Sequence, residues 1–346
     1  MQQKAKKGRK IVITIVVNLG LLLILFWVGK RILFPKYDDI PVTGKYQVGS
    51  DDYWVTEDKE DPFLKDGSLR EVQVRVWYPK DYQEDRKLPV VVASHGSCGT
   101  IDNNYSLYRE LASNGYVVLA IAHQGHAFSM VHSNGKKQSV SMDYLKGMSN
   151  MDPQTKPEHT ADLFAEWMDL RMTDMAAVMD DFSGRSIENS GRYPSADMEH
   201  FITLGHSAGG ASALGMARVR DDVVGVIALE SPYIYDIKGV QDGEYIMDDS
   251  AYSVPILNVY SDSGYPHLRE WKQYSNNVKF LEADGCKTIY YPGVGHMGLC
   301  DLSIASPVLS GIMDQIKSQV SPREQLTQLN ADCMDFIRND ILTREL

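Results

Sequence analysis

Ser207 stands in the run Gly205-His206-Ser207-Ala208-Gly209-Gly210, behind the apolar stretch Phe201-Ile202-Thr203-Leu204 and ahead of the small-residue stretch 211–217. The spacing G-x-S-x-G between a strand and a helix puts a serine hydroxyl on a tight, strained turn above a sheet edge. Glycine suits 205 and 209 because a Cβ at either position would crowd the strand or the helix. A serine so held becomes a nucleophile once a neighbouring base can take its proton. The pentapeptide alone is a common match, so its partners along the chain carry the argument.

The base has to arrive from a later loop. Thr288-Ile289-Tyr290-Tyr291 reads as a short strand, and Pro292-Gly293-Val294-Gly295-His296-Met297-Gly298 follows it, so His296 sits in a glycine-flanked loop at a strand end. His200 precedes the elbow strand, His206 lies inside the elbow, and His267 is less well placed behind its own strand. The third role is to accept the Nδ1 proton of His296 while Nε2 handles the serine proton. Residues 223–229 form an apolar strand ending in Glu230, and residues 254–260 form the next, ending in Ser261-Asp262. Either Glu230 or Asp262 can orient the imidazole from its own loop, and residue type alone leaves the two open. The carboxylate not so used would cap a turn or bind backbone N–H groups.

An acyl-transfer reaction also needs donors for the oxyanion. With such an elbow these are the N–H of the residue after the nucleophile, Ala208, and an N–H from the loop after the third strand. Leu88-Pro89-Val90-Val91-Val92-Ala93-Ser94 reads as that buried strand and runs into His95-Gly96-Ser97-Cys98-Gly99, making Ser97 the second donor. Metal binding by His95 with His123 and His126 is a weaker reading, because His123-x-x-His126 is followed by no third ligand at useful spacing. No metal or organic cofactor is expected.

From about residue 68 to 302 the chain resembles the plasma-type platelet-activating factor acetylhydrolase branch of the α/β-hydrolases. The resemblance rests on Val74-Arg75-Val76-Trp77-Tyr78-Pro79, the 88–96 block ending in Ser-His-Gly, the 108–118 block beginning Tyr108-Arg109-Glu110-Leu111, the elbow, and Gly225-Val226-Ile227-Ala228-Leu229-Glu230. It implies an α/β-hydrolase fold and a serine esterase or lipase with a short-acyl preference. In that branch the acid follows the strand after the elbow helix, which maps onto Glu230 rather than Asp262. Two departures stand out: the family usually carries Asp where this chain has Glu230, and a bulky aromatic where it has Ala208. The second implies a differently shaped acyl pocket.

The elements that must position these residues alternate. Strands are expected at 70–78, 88–94, 117–122, 201–204, 223–229, 254–260 and 288–291, and helices near 104–114, 160–182, 208–219, 264–275 and 322–342. This predicts a mostly parallel central sheet with helices on both faces, in a single domain over 68–346. Residues 124–159 form a polar insertion without clear periodicity, carrying Met130, Met142, Met148 and Met151; beside the crevice it could act as a lid or be a surface excursion. Met168, Met172, Met175 and Met179 recur at helical spacing and read as core.

Residues 11–29 contain no charged side chain, long enough to span a bilayer core about 30 Å thick as a helix. Lys4, Lys6, Lys7, Arg9 and Lys10 precede this run and only Lys30 and Arg31 follow directly. The positive-inside rule then makes 1–10 a cytoplasmic tail, 11–29 a transmembrane signal anchor, 30–67 a linker and lead-in, and the catalytic domain extracytoplasmic at the cell membrane. A cleaved signal peptide is the rival; no small-x-small site precedes Lys30. Beyond residue 36 the chain holds 27 basic against 46 acidic side chains, a surface that repels nucleic acid and anionic headgroups. Cys98, Cys286, Cys300 and Cys333 are too few for a disulfide scaffold; an extracytoplasmic domain could pair Cys286 with Cys300, and buried free thiols are the equal alternative. The expectation is a membrane-anchored serine hydrolase of small-molecule or lipid carboxylic esters. An amidase, peptidase or acyltransferase would use the same residues, and a non-catalytic binding domain on this scaffold is the reading from another class.

Overall fold

The computed structural model describes residues 26–64, 66–188, 195–314, 316 and 318–343, the side chains of 185–188 excepted. The expected span at 11–29 therefore lies, up to residue 25, outside the described residues. Residues 26–33 form helix α1, and among the described residues no helix is long and apolar enough to cross a membrane.

Valine-rich stretches make the centre of the sheet. β3 (Leu88–Ser94) and β4 (Val117–Ala122) are apolar without alternation, because both of their faces are covered, as parallel inner strands require. With β1 (Val48–Glu60), β2 (Leu69–Pro79), β7 (Ala196–His206), β8 (Val223–Leu229), β11 (Ile256–Ser261) and β12 (Cys286–Tyr291) they form one eight-stranded sheet. Its order is β1-β2-β4-β3-β7-β8-β11-β12. The pairings from β4 through β12 are parallel, while β1 with β2 and β2 with β4 are antiparallel.

One face is covered by α4 (Pro157–Glu188) and α5 (Ala208–Val219), whose Phe164, Met168, Met175, Val178, Met179, Ala211 and Leu214 pack with Val74, Val90, Val92, Leu119 and Phe201. The other is covered by α2 (Tyr105–Ser113) and α9 (Pro322–Phe336), with Leu107, Leu111, Leu326 and Leu329 against Val91, Val118, Ile202, Leu204 and Leu257. The methionine row of α4 is core, as its spacing implies. Because β4 and β7 lie on opposite sides of β3, the strand order reverses at β3, and the loops after β3 and β7 open on one crevice.

Three expectations change and one open choice is resolved. The lead-in 30–67 holds β1, a full edge strand, whose acidic sequence hides its pairing with β2. The helix expected over 264–275 is broken: Gly264 and Pro266 leave two 3-10 turns, 265–267 and 272–274, before a short α6 (Ser275–Lys279). The insertion is ordered, carrying a hairpin of β5 (Ser129–Val131) and β6 (Lys137–Ser139), then α3 (Met142–Asn150) capped by the Ser141 hydroxyl on the Asp143 N–H. All four cysteines are free thiols, so Cys286 and Cys300 are not paired. Past β8 the chain adds a second hairpin, β9 (Ile237–Gln241) with β10 (Glu244–Met247), and past β12 come the short α7 (Leu302–Ala305) and α8 (Pro307–Asp314).

Candidate active site

Ser207 follows the last residue of β7 and precedes the first of α5, in a left-handed backbone conformation with φ 56° and ψ −124°. The turn is as tight as the glycine spacing predicts. A Cβ on Gly205 would come within 2.2 Å of the Gly209 carbonyl carbon, and one on Gly209 within 2.0 Å of the Ser94 oxygen. The turn is pinned by Ser207 N–H to the Leu229 oxygen at 2.8 Å and by Ala211 N–H to the Ser207 oxygen at 3.0 Å.

His296 comes from the loop after β12. His206 Nε2 donates to the His296 carbonyl at 3.1 Å, and the two rings lie 4.3 Å apart between centroids, which sets His296 against the elbow. Its side chain is 23% exposed, open to the crevice. Among the described residues neither Ser207 Oγ nor His296 Nε2 makes a hydrogen bond; in unliganded sites such contacts tighten only with substrate.

The carboxylate that reaches the imidazole is Glu230. Its Oε2 lies 2.7 Å from His296 Nδ1, and its Oε1 accepts from the Ser261 N–H at 2.8 Å and hydroxyl at 2.7 Å. Glu230 has φ 46°, which turns its side chain from the end of β8 toward β11; Gly264 leaves it room, since a Cβ there would lie 2.6 Å from Oε1. Asp262 faces elsewhere. It accepts from the Gly293 N–H at 2.8 Å and the Tyr290 hydroxyl at 2.5 Å and so ties β11 to the turn before His296.

The protonation states follow from these contacts. Burial disfavours a proton on His296, but its hydrogen bond to Glu230 and the charges of Glu230 and Asp314 outweigh that and raise its pKa. Burial likewise pushes Glu230 up, and the His296 and Ser261 contacts overcome it, leaving Glu230 below its ordinary value and ionised. Asp314, on α8, was not apparent from sequence: it accepts from the Met297 N–H at 2.9 Å and lies against Gly295. Its position in a stretch without motif or strand gave no signal.

The loop after β3 lies across the elbow. A Cβ on Gly96 would sit 3.4 Å from Ser207 Cβ and 3.1 Å from His206 Nδ1. Among the described residues the N–H groups of Ser97 and Ala208 donate to no protein acceptor, whereas Cys98 N–H is used on the His126 oxygen and Gly99 N–H on the Gly96 oxygen. The insertion leans on this loop: Tyr144 hydroxyl is 2.8 Å from Ser97 Oγ and Met148 Sδ is 3.9 Å from Cys98 Sγ. His95, His123 and His126 are each buried and engaged by protein groups, His123 between Ser94 Oγ and Asp174 Oδ2 at 2.8 Å each. Of the remaining histidines, His200 pairs with Asp197 and His267 with Glu270, away from the elbow.

A mostly parallel sheet flanked on both faces, with the elbow serine, the histidine and the acid on loops at its carboxyl edge, is the α/β-hydrolase fold. Within it, residues 81–155 match the model of the family described as platelet-activating factor acetylhydrolase, isoform II. That stretch takes in the loop after β3 but not the elbow. Among solved structures the fold is shared with a ferulic acid esterase from Streptomyces cinnamoneus, at 19% identity over 88% of this chain and 94% of that one, with TM-score 0.67. More distant likenesses are an acylaminoacyl peptidase from Pyrococcus horikoshii (14% identity, 85% of this chain, 42% of that one, TM-score 0.49) and a dienelactone hydrolase-like promiscuous phosphotriesterase from metagenomic libraries (13%, 83%, 98%, TM-score 0.46). No curated protein matches the chain by sequence.

Proposed function

We propose that this protein is a serine hydrolase of carboxylic esters, held at the cell membrane by residues 11–29 with its catalytic domain outside the cytoplasm. One observation carries the chemistry: an elbow serine at φ 56° shares a crevice with a histidine whose Nδ1 is 2.7 Å from an ionised, buried glutamate. Ser207 Oγ attacks the ester carbonyl while His296 Nε2 takes its proton. Glu230 holds Nδ1–H and stabilises the imidazolium, and the Ser97 and Ala208 N–H groups receive the oxyanion. The alcohol leaves with the proton from His296, and water, activated by the same imidazole, releases the acid from the acyl-enzyme.

Esters are favoured by the resemblance at residues 81–155 and by the esterase that shares the fold. Anchoring is supported by the uncharged run 11–29 and its basic flanks.

The test is reaction with a fluorophosphonate probe, followed by hydrolysis of p-nitrophenyl esters of rising chain length. Labelling at Ser207 with turnover fits the proposal; a folded protein that neither labels nor hydrolyses any ester of the series would end it. For the anchor, protein extracted from membranes should still carry residues 1–36, and protease added to intact cells should degrade the domain. A soluble mature form beginning near Lys30 would show a cleaved signal instead.

A further inference from the structure

Directly behind the loop after β3 lies a buried arginine without a counter-ion. Arg171, on α4, has no solvent exposure, and among the described residues it forms no ion pair. Its Nη1 donates to the His95 carbonyl at 2.7 Å and lies 3.5 Å from Ser94 Oγ; its Nη2 reaches the Gly96 carbonyl at 3.4 Å and its Nε the Nδ1 of His126 at 3.2 Å. The nearby Asp174 is already committed, with both oxygens 2.7 Å from Arg70 and one shared with His123. Burying an uncompensated guanidinium is costly, so a fold that keeps one has a use for it or a strong set of acceptors.

The acceptors indicate the use. In a trans peptide the C=O and the following N–H point in opposite directions. Holding the Gly96 oxygen toward Arg171 therefore turns the Ser97 N–H toward the elbow, where a Gly96 Cβ would already touch Ser207. The same carbonyl takes the Gly99 N–H at 3.0 Å and His95 Nδ1 at 2.6 Å, so the peptide is clamped on its rear side. A cation on a peptide oxygen also polarises that peptide and makes its N–H a stronger donor.

We propose that Arg171 is a positioning residue of the ester-cleaving reaction, clamping and polarising the His95-Gly96-Ser97 peptides so that the Ser97 N–H meets the developing oxyanion. The inference rests on the serine-hydrolase reading above and adds a residue that touches neither substrate nor Ser207. Its cation acts one peptide away from the negative charge that appears only in the transition state, so its effect falls on kcat.

The experiment uses the full chain with p-nitrophenyl acetate, each variant normalised to the sites counted by end-point fluorophosphonate labelling. Arg171→Met should lower kcat per labelled site by on the order of 10² to 10³, as loss of an oxyanion donor does, with KM little changed. Arg171→Lys, which keeps charge but lacks the planar fork, should fall between Met and wild type. The acid limb of the pH profile should stay in place, because Arg171 does not touch His296. Fewer labelled sites with wild-type kcat per site would reduce Arg171 to a packing role and overturn the proposal, as would a rise in KM at constant kcat. If Arg171→Met does not fold, Arg171→Lys decides by the same measure, and wild-type kcat there overturns it. Wild-type protein that takes up no label would overturn the hydrolase reading itself, and this proposal with it.

Discussion

Among the described residues a serine, a histidine and a carboxylate stand in line twice, once hydrogen-bonded throughout and sealed, and once open at the serine, where the proposed reaction takes place. Ser94, His123 and Asp174 line up with 2.8 Å from hydroxyl to Nε2 and 2.8 Å from Nδ1 to carboxylate, all fully buried. Ser207, His296 and Glu230 are looser at the serine but open to the crevice. The charge environment separates them further. Asp174 is claimed by both nitrogens of the Arg70 fork, and burial together with Arg171 and Arg70 holds His123 well below its usual pKa. Among the described residues Glu230 pairs with no basic side chain but His296, whose pKa it raises. Residue types at hydrogen-bond distance thus do not suffice for a catalytic group, which also needs access, a carboxylate free of competing cations and a backbone that presents the hydroxyl.

The contrast can be broken most sharply at the two serines. Ser207→Ala should lower kcat by on the order of 10⁶ in a folded protein, because the reaction loses its nucleophile. Fluorophosphonate should modify the peptide containing Ser207 and leave the one containing Ser94 untouched, and mass mapping of the label on Ser94 would erase the distinction between the rows.

Next in size is the acid. Glu230→Gln should cut kcat by on the order of 10³ to 10⁴, since the amide removes the charge that supports the imidazolium and can hold the wrong tautomer. Asp262→Asn should cost far less, its contacts being to Gly293 and Tyr290. Steady-state rates of the two variants, with folding checked by circular dichroism, test this; the reverse ordering would assign the role to Asp262.

A pH profile sharpens the same point. His296 must be neutral to accept the serine proton, so kcat/KM should fall as pH drops through its pKa, and that limb should lie above the ordinary imidazole value of 6.5. Removing the Glu230 charge leaves burial opposed by Asp314 without Glu230, so the residual activity of Glu230→Gln should show its acid limb at lower pH. A limb that does not move would mean that Glu230 does not set the affinity of His296 for a proton.

The smallest effect belongs to the sealed row. Ser94→Ala leaves His123 Nε2 without its partner in the interior, costing about 1–3 kcal/mol of stability in a denaturant melt. Turnover per labelled Ser207 should be unchanged, and a large loss there would join the two rows functionally.

Much of the reactive row was legible in the sequence, because an elbow serine and a glycine-flanked histidine are local patterns fixed by backbone geometry. Residue spacing alone left Glu230 and Asp262 open, and it was the family resemblance that favoured Glu230. Both end neighbouring parallel strands, and the outcome turns on the left-handed conformation of Glu230, which no side-chain pattern announces. β1 was missed because an acidic edge strand owes its form to β2 rather than to its own propensity. Arg171 and Asp174 sit in a helix whose methionine row declared its apolar face, and nothing in their spacing separated them from surface charges. Asp314 acts through the Met297 N–H and through its charge near His296, both decided wholly by tertiary packing.

Four non-glycine residues among those described have positive φ; one, Asp242, is in a hairpin turn, and the other three are Cys98, Ser207 and Glu230. A side chain in that conformation costs about 1–2 kcal/mol, a penalty glycine escapes. Under the proposed function, drift toward glycine at 207 or 230 would therefore relieve strain and silence the enzyme in one step. Stability selection and activity selection oppose each other at these positions. A descendant relieved of its catalytic duty has an easy path to a sturdier, inert scaffold, and Ser207→Gly, compared with Ser207→Ala by thermal melting, should measure how steep that path is.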